Sequence, residues 1–189
     1  MPAIITDQIR VLNASNFVSG IGNASNSFYV FIGLPNATEV ATDWNTSTPA
    51  PTDNFDQHDN IYDTLISAKK INSTDVLRVI RKITWTSGTI YEMYRHDYNV
   101  SNLTPQTSAS NLYNANYYVM NSDFRVYECI YNGGSPSNSG KGIVSLDEPV
   151  HTDLEPRLES DGYLWKYLYT IKPSDIVKFD SAEYIPVPS

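Results

Sequence analysis

The sequence predicts an α+β chain, predominantly antiparallel β, with a few short helices and long polar loops. Three observations carry this. The stretch Tyr163 to Ile171 alternates strictly, with Tyr163, Trp165, Tyr167, Tyr169 and Ile171 on one side and Leu164, Lys166, Leu168 and Thr170 on the other, the period-two signature of a strand. Asn, Ser and Thr supply 52 of the 189 residues while charged residues reach only 18%; these side chains compete with helical backbone and favour turns. Helical periodicity is confined to short windows. The length fits one domain over 1–189, able to bury a core without disulfide staples.

The elements follow in chain order. Residues 7–19 form a short helix capped by Asp7, with Ile9, Leu12 and Phe17–Val18 as its apolar face and Gly20 and Gly22 at its end. Phe28 to Leu34 is apolar on both faces and reads as the most central strand. Residues 36–60, with Pro49-Ala50-Pro51, make a long loop. Asp59 or Asn60 then caps a helix over 61–71, with Ile61, Tyr62, Leu65, Ile66 and Ala68 on its stripe, Lys69 and Lys70 at its C-terminal end and Asn72 as a left-handed cap. Val76 to Trp85 places Leu77, Val79, Ile83 and Trp85 on one face, with Arg81 as the exception; Thr86-Ser87-Gly88 turns the chain back into Thr89–Arg95 as a hairpin. A second loop covers 99–116. Tyr117–Met120, the turn Asn121-Ser122-Asp123 and Phe124–Tyr131 form a second hairpin. A third loop, 132–160, leads through Asp161-Gly162 into the Tyr163–Ile171 strand, and Pro173 opens a short helical turn. Loops this long are uncommon in a compact domain, and fixing each residue costs ~1–2 kcal/mol, so a partner surface is one way to order them.

Charge excludes several function classes. The chain carries a net charge of -8, whereas a nucleic-acid binder needs a cationic face to displace phosphate counterions. The densest basic spots, Lys69-Lys70 and Arg78, Arg81 and Lys82, read as solvated faces. A membrane role is not expected: no window nears the ~18 apolar residues of a spanning helix. The first residues lack a basic region followed by an apolar run, and the single cysteine, Cys129, has no partner to oxidise with; both fit folding in a reducing cytoplasm. The seven Asn-x-Ser/Thr triplets are then a by-product of composition.

Most candidates for chemistry fail on their spacing. Gly133 to Gly142 resembles a phosphate loop, but five residues separate Gly134 from Gly140 where four are needed, and Gly142 stands where a Mg-binding hydroxyl belongs. His58-Asp59, His96-Asp97 and His151-Thr152-Asp153 each set an imidazole beside a carboxylate; lacking spaced partners, they read as surface histidines next to capping or turn aspartates. Asp53, Asp56, Asp59 and Asp63 miss the spacing of a calcium loop. Glu148, Asp153, Glu155, Glu159 and Asp161 could supply the two carboxylates of a glycosidase, although acidic loop residues are common, and Cys129 reads as a small core thiol. The expectation is no enzyme, no metal, no cofactor and no small-molecule substrate. The Tyr163–Tyr169 stripe reads as core packing; its alternative is a binding face that stacks on sugars.

Five stretches taken together resemble a known family: Met1–Arg10 with Asn16-Phe17, Phe28–Gly33, Trp85–Tyr94, Tyr117–Tyr127 and Asp161–Tyr169. In this order they are similar to the wedge subunit called gene product eight in the baseplates of T-even-like contractile-tailed phages, especially the versions in phages of cyanobacteria. The best-known members are considerably longer. The resemblance implies a virion structural protein of mostly β fold, assembled in the host cytoplasm, forming a homodimer bound to other baseplate wedge subunits and having no catalytic residues. Loops 36–60, 99–116 and 132–160 would then be interface loops, with Trp44, Tyr113 and Tyr117 as interface anchors. The alternative is a glycan-binding host-recognition module resting on the Tyr/Trp stripe.

Overall fold

A computed structural model describes residues 7–33, 62, 65–97, 101–102, 109–110, 112–135 and 141–188. Its helices and antiparallel sheets make it a mixed α+β fold of mainly β content, as the sequence predicts. Contacts gather into two units, Met1–Leu77 and Arg78–Ser189.

In the first unit, α1 spans Asp7–Gly22. It runs three residues past the expected end at 19, through Gly20 to Gly22, and the Gly20 carbonyl accepts from Asn23 N–H at 3.2 Å and from the Asn26 side-chain amide at 3.0 Å. β1 (Phe28–Ile32) pairs antiparallel with β2 (Ser67–Ile71), Phe28 opposite Ile71 and Ile32 opposite Ser67. The Phe17 ring meets Phe28 edge-on at 6.0 Å.

Two expectations fail here. The stretch read as the central strand belongs to a two-stranded sheet, with Tyr29, Val30 and Ile32 exposed; apolarity on both faces signals double burial only when further layers cover both. The helix read over 61–71 is a strand from Ser67 onward. Tyr62 is helical as expected and stacks on Phe31 at 5.4 Å, but Leu65 and Ile66 are exposed, and from Ser67 onward the ladder with β1 satisfies the backbone instead. Asn72 starts a turn rather than ending a helix. It has extended backbone, accepts from Thr74 N–H at 2.9 Å, and its own N–H donates to Asp75 at 3.1 Å, a reciprocal cap of the 3-10 turn Ser73–Asp75. Lys69 reaches Asp75 at 2.7 Å rather than a helix dipole.

The second unit is built on a four-stranded antiparallel sheet in the order β4-β5-β7-β6, comprising β4 (Tyr118–Met120), β5 (Arg125–Tyr131), β6 (Arg157–Leu158) and β7 (Leu164–Thr170). The β4–β5 hairpin is the expected one. Asn121 organises its turn: its side-chain oxygen accepts from Asp123 and Arg125 N–H, both at 2.9 Å. β6 and β7 are joined through Glu159–Tyr163, where Gly162 takes a φ of 91° that disfavours any side chain.

The first expected hairpin does not form. The turn at Thr86–Thr89 is present, yet its flanks pair elsewhere. β3 (Val79–Arg81) pairs with β8 (Tyr184–Pro186) from the other end of the unit, Trp85 N–H donates to Met120, and Thr89 bridges Ser145. Distant partners outcompete the local pairing. α2 (Pro173–Phe179) opens on proline as expected.

The core has two contiguous clusters. Ile83, Tyr91, Val119, Tyr127, Cys129, Tyr163 and Trp165 form one; Met120, Val126, Ile171 and Ile185 form the other. The odd-numbered face of β7 is thus the buried one. Tyr163 stacks on Trp165 with ring centroids 5.4 Å apart, and Tyr91 meets both rings edge-on.

The described parts of the 132–160 loop are strapped to this sheet by side chains. Asn121 donates to the Pro149 carbonyl at 2.8 Å, Tyr127 to His151 at 2.7 Å and Tyr163 to Ile143 at 2.6 Å. Asp161 accepts from Ser145 Oγ and from the N–H groups of Leu146, Asp147 and Tyr163. The polar composition therefore orders backbone that has no ladder of its own.

Candidate interface residues and an open cleft

Tyr113 lies on the 3-10 turn Leu112–Asn114 and is 70% exposed. The Arg81 guanidinium carbon lies 5.8 Å from its ring centroid, within cation–π range. Tyr117 is half-buried and packs against Tyr94 and Tyr118, with centroids 6.1 and 5.3 Å away. Burial first, then the nearby Glu128 charge, pushes its phenol above the usual range. Tyr113 is exposed, whereas Tyr117 is tied to the sheet through its carbonyl, which accepts from Cys129 N–H at 2.8 Å. Trp44 lies outside the described residues.

Arg81, Lys82, Tyr113, Ala182, Glu183 and Tyr184 line an open cleft of about 300 Å³. The β3–β8 ladder builds it, with Arg81 directly opposite Tyr184. Arg81 Nη2 donates to the Ala115 carbonyl at 2.9 Å and Asn116 Oδ1 at 3.0 Å, and its own carbonyl accepts from the Tyr118 hydroxyl at 2.7 Å. Lys82 Nζ is 2.9 Å from both Asp180 carboxylate oxygens and 3.2 Å from the Ser181 carbonyl. Neither cation is the solvated face expected from sequence. The available signal was Arg81 itself, the charged exception on an otherwise apolar face.

Several of the remaining candidates make structural contacts among the described residues. At the base of the phosphate-like loop, Asn132 donates to Tyr91 O at 2.8 Å and accepts from Gly134 N–H at 3.1 Å. Cys129 is fully buried, and burial pushes its thiol far up, away from thiolate reactivity. Glu148 accepts from Ser122 N–H at 2.7 Å, and Asp153 lies 3.6 Å from Arg157. Burial works to raise Asp161, but its hydrogen bonds outweigh that and hold it below the usual carboxylate range. His96 is exposed, and the Arg95 hydrogen bond lowers Asp97. His58, Asp53, Asp56, Asp59 and Asp63 lie outside the described residues.

His151 departs from its surface reading. Its side chain is 2% exposed, Asp153 and Glu159 stand 4.0 and 3.9 Å from its two ring nitrogens, and neither nitrogen has a hydrogen-bond partner among the described residues. The ring meets Tyr127 edge-on at 5.4 Å, so hydrophobic packing placed it. In the aromatic stripe, Tyr163 and Trp165 are fully buried, leaving no ring face for a sugar at those positions.

No protein-family model matches the chain, and no curated protein matches it.

Proposed function

We propose that this chain is a structural subunit of a phage tail baseplate wedge, of the gene product eight type. It acts through its surfaces, holding neighbouring wedge subunits and a second copy of itself and rearranging with them on contraction. The reading rests on the five ordered sequence stretches. One observation carries it physically: the first unit leaves large apolar side chains uncovered. Val11 is 66% exposed, Tyr29 60% and Ile32 62%, while Ile21 is the buried hydrophobic residue among that unit's described residues. Large apolar side chains left exposed in this number favour an interaction surface. In this reading the protein is a virion component, assembled in the host cytoplasm, that transforms no substrate.

The test is to locate the chain in a density map of an intact contractile tail. Density for it within the wedge is the expected result; its absence from purified virions refutes the proposal.

A further inference from the structure

We infer that the Arg81 cleft is a docking point for a carboxylate side chain on an extended acidic segment of a partner protein. The inference deepens the structural reading above by naming the chemistry of one contact.

The two cations of the cleft are not equivalent. Lys82 is neutralised by Asp180 at 2.9 Å. Among the described residues no carboxylate pairs with Arg81, although the chain carries 21 acidic residues against 13 basic ones. The donors in use belong to one terminal nitrogen, Nη2, which holds Ala115 O and Asn116 Oδ1. Those bonds hold the guanidinium in place. The Tyr118 hydroxyl lies beside it as well, donating to the Arg81 carbonyl at 2.7 Å; burial raises this phenol while the Arg81 side chain draws it down. A further acceptor therefore takes only the donors that these neighbours do not use. An oriented guanidinium suits a carboxylate, which it can bind in two-point fashion at reduced entropic cost.

The walls fit the same occupant. Tyr113 covers one side of the guanidinium and Tyr184, 41% exposed, stands opposite it in the ladder. Their rings offer apolar area to the aliphatic part of a Glu or Asp chain. The cleft is open, and its roughly 300 Å³ admits a side chain with a short length of backbone rather than a folded domain. Glu183 also lines the cleft and opposes a second negative charge, so it limits the affinity. The chain's net negative charge gives no long-range attraction to an acidic partner, so the contact sets register after other surfaces meet.

The test is an NMR titration of the full chain with the blocked tripeptide Gly-Glu-Gly and its counterpart Gly-Gln-Gly. The Glu peptide is expected to shift the Arg81 Nε–H, Tyr113 and Tyr184 signals and to bind at least about fivefold more tightly than the Gln peptide. High salt should remove most of that preference, and Glu183→Gln should strengthen it about two- to threefold. Arg81→Gln should abolish it; should that variant misfold, the salt and Glu183→Gln results decide. Equal binding of the two peptides, a preference insensitive to both salt and Glu183→Gln, or shifts elsewhere on the surface would each overturn the inference. The titration uses no tail component, so its failure leaves the wedge reading to its own test.

Discussion

The Tyr163 hydroxyl accepts the backbone N–H of Tyr91 at 3.1 Å, joining positions 72 residues apart. The same oxygen donates to Ile143 at 2.6 Å. One phenol thus satisfies two backbone groups in segments that have no regular ladder. Tyr163→Phe would keep the stacking on Trp165 and leave both groups without this partner. The expected cost is about 2–4 kcal/mol, read as a lower urea midpoint followed by Trp fluorescence. An unchanged midpoint would show that neither bond contributes.

Buried phenols also set the alkaline limit. Burial pushes Tyr127 and Tyr169 up to about 12 and Tyr163 higher still. In the unfolded chain these groups ionise near the ordinary value of 10.0. A raised pKa in the folded state means that the unfolded state releases its protons first as pH climbs. Their contribution to stability is therefore complete below pH 10 and is lost as pH rises toward 12 and beyond. The expected result is a cooperative loss of structure in that window, with a late, steep phenolate absorbance change. A gradual titration centred on the ordinary tyrosine value, with the fold intact, would contradict it.

His151→Phe tests whether the native residue is the most stable choice at its site. The His151 ring nitrogens are buried without a hydrogen-bond partner among the described residues, a cost of about 1–3 kcal/mol for an unpaired donor. His151→Phe keeps an aromatic ring against Tyr127 and removes both polar atoms. It should raise stability by about 1 kcal/mol at neutral pH, measured by denaturant unfolding. A lower midpoint would show that the ring gains more from Asp153 and Glu159 than their 4.0 and 3.9 Å separations suggest.

Local chemistry was legible where it acted alone. The strict alternation of Tyr163–Ile171, the Asn121 turn and the proline start of α2 each depend on neighbours in sequence, and each is found. What escaped depended on partners far along the chain. Ser67–Ile71 becomes a strand because β1 lies beside it. The Thr86–Thr89 turn forms, but Met120 and Ser145 take the backbone groups its two arms would have exchanged. The two tyrosines expected at an interface differ in setting: Tyr113 is exposed, whereas Tyr117 is drawn inward by Tyr94 and Tyr118. Arg81 was visible as an anomaly, but Tyr113 and Tyr184, its neighbours in the cleft, come from distant segments that periodicity cannot place beside it.

Under the proposed wedge role, the exposed face of β1 allows folding and assembly to be tested separately. Val30 is 53% and Ile32 62% exposed, so a charge at either position can remain in water, and surface changes of this kind usually alter stability by about 0.5 kcal/mol or less. An interface that buried the same side chains would have to desolvate the new ammonium, which costs far more than the lost apolar contact. Val30→Lys with Ile32→Lys should therefore leave the circular dichroism spectrum and unfolding midpoint of the isolated chain nearly unchanged, while incorporation into tails falls at least about tenfold. Full incorporation of the folded double variant would show that β1 faces solvent in the assembly, and the interaction face would then have to be sought elsewhere on the chain.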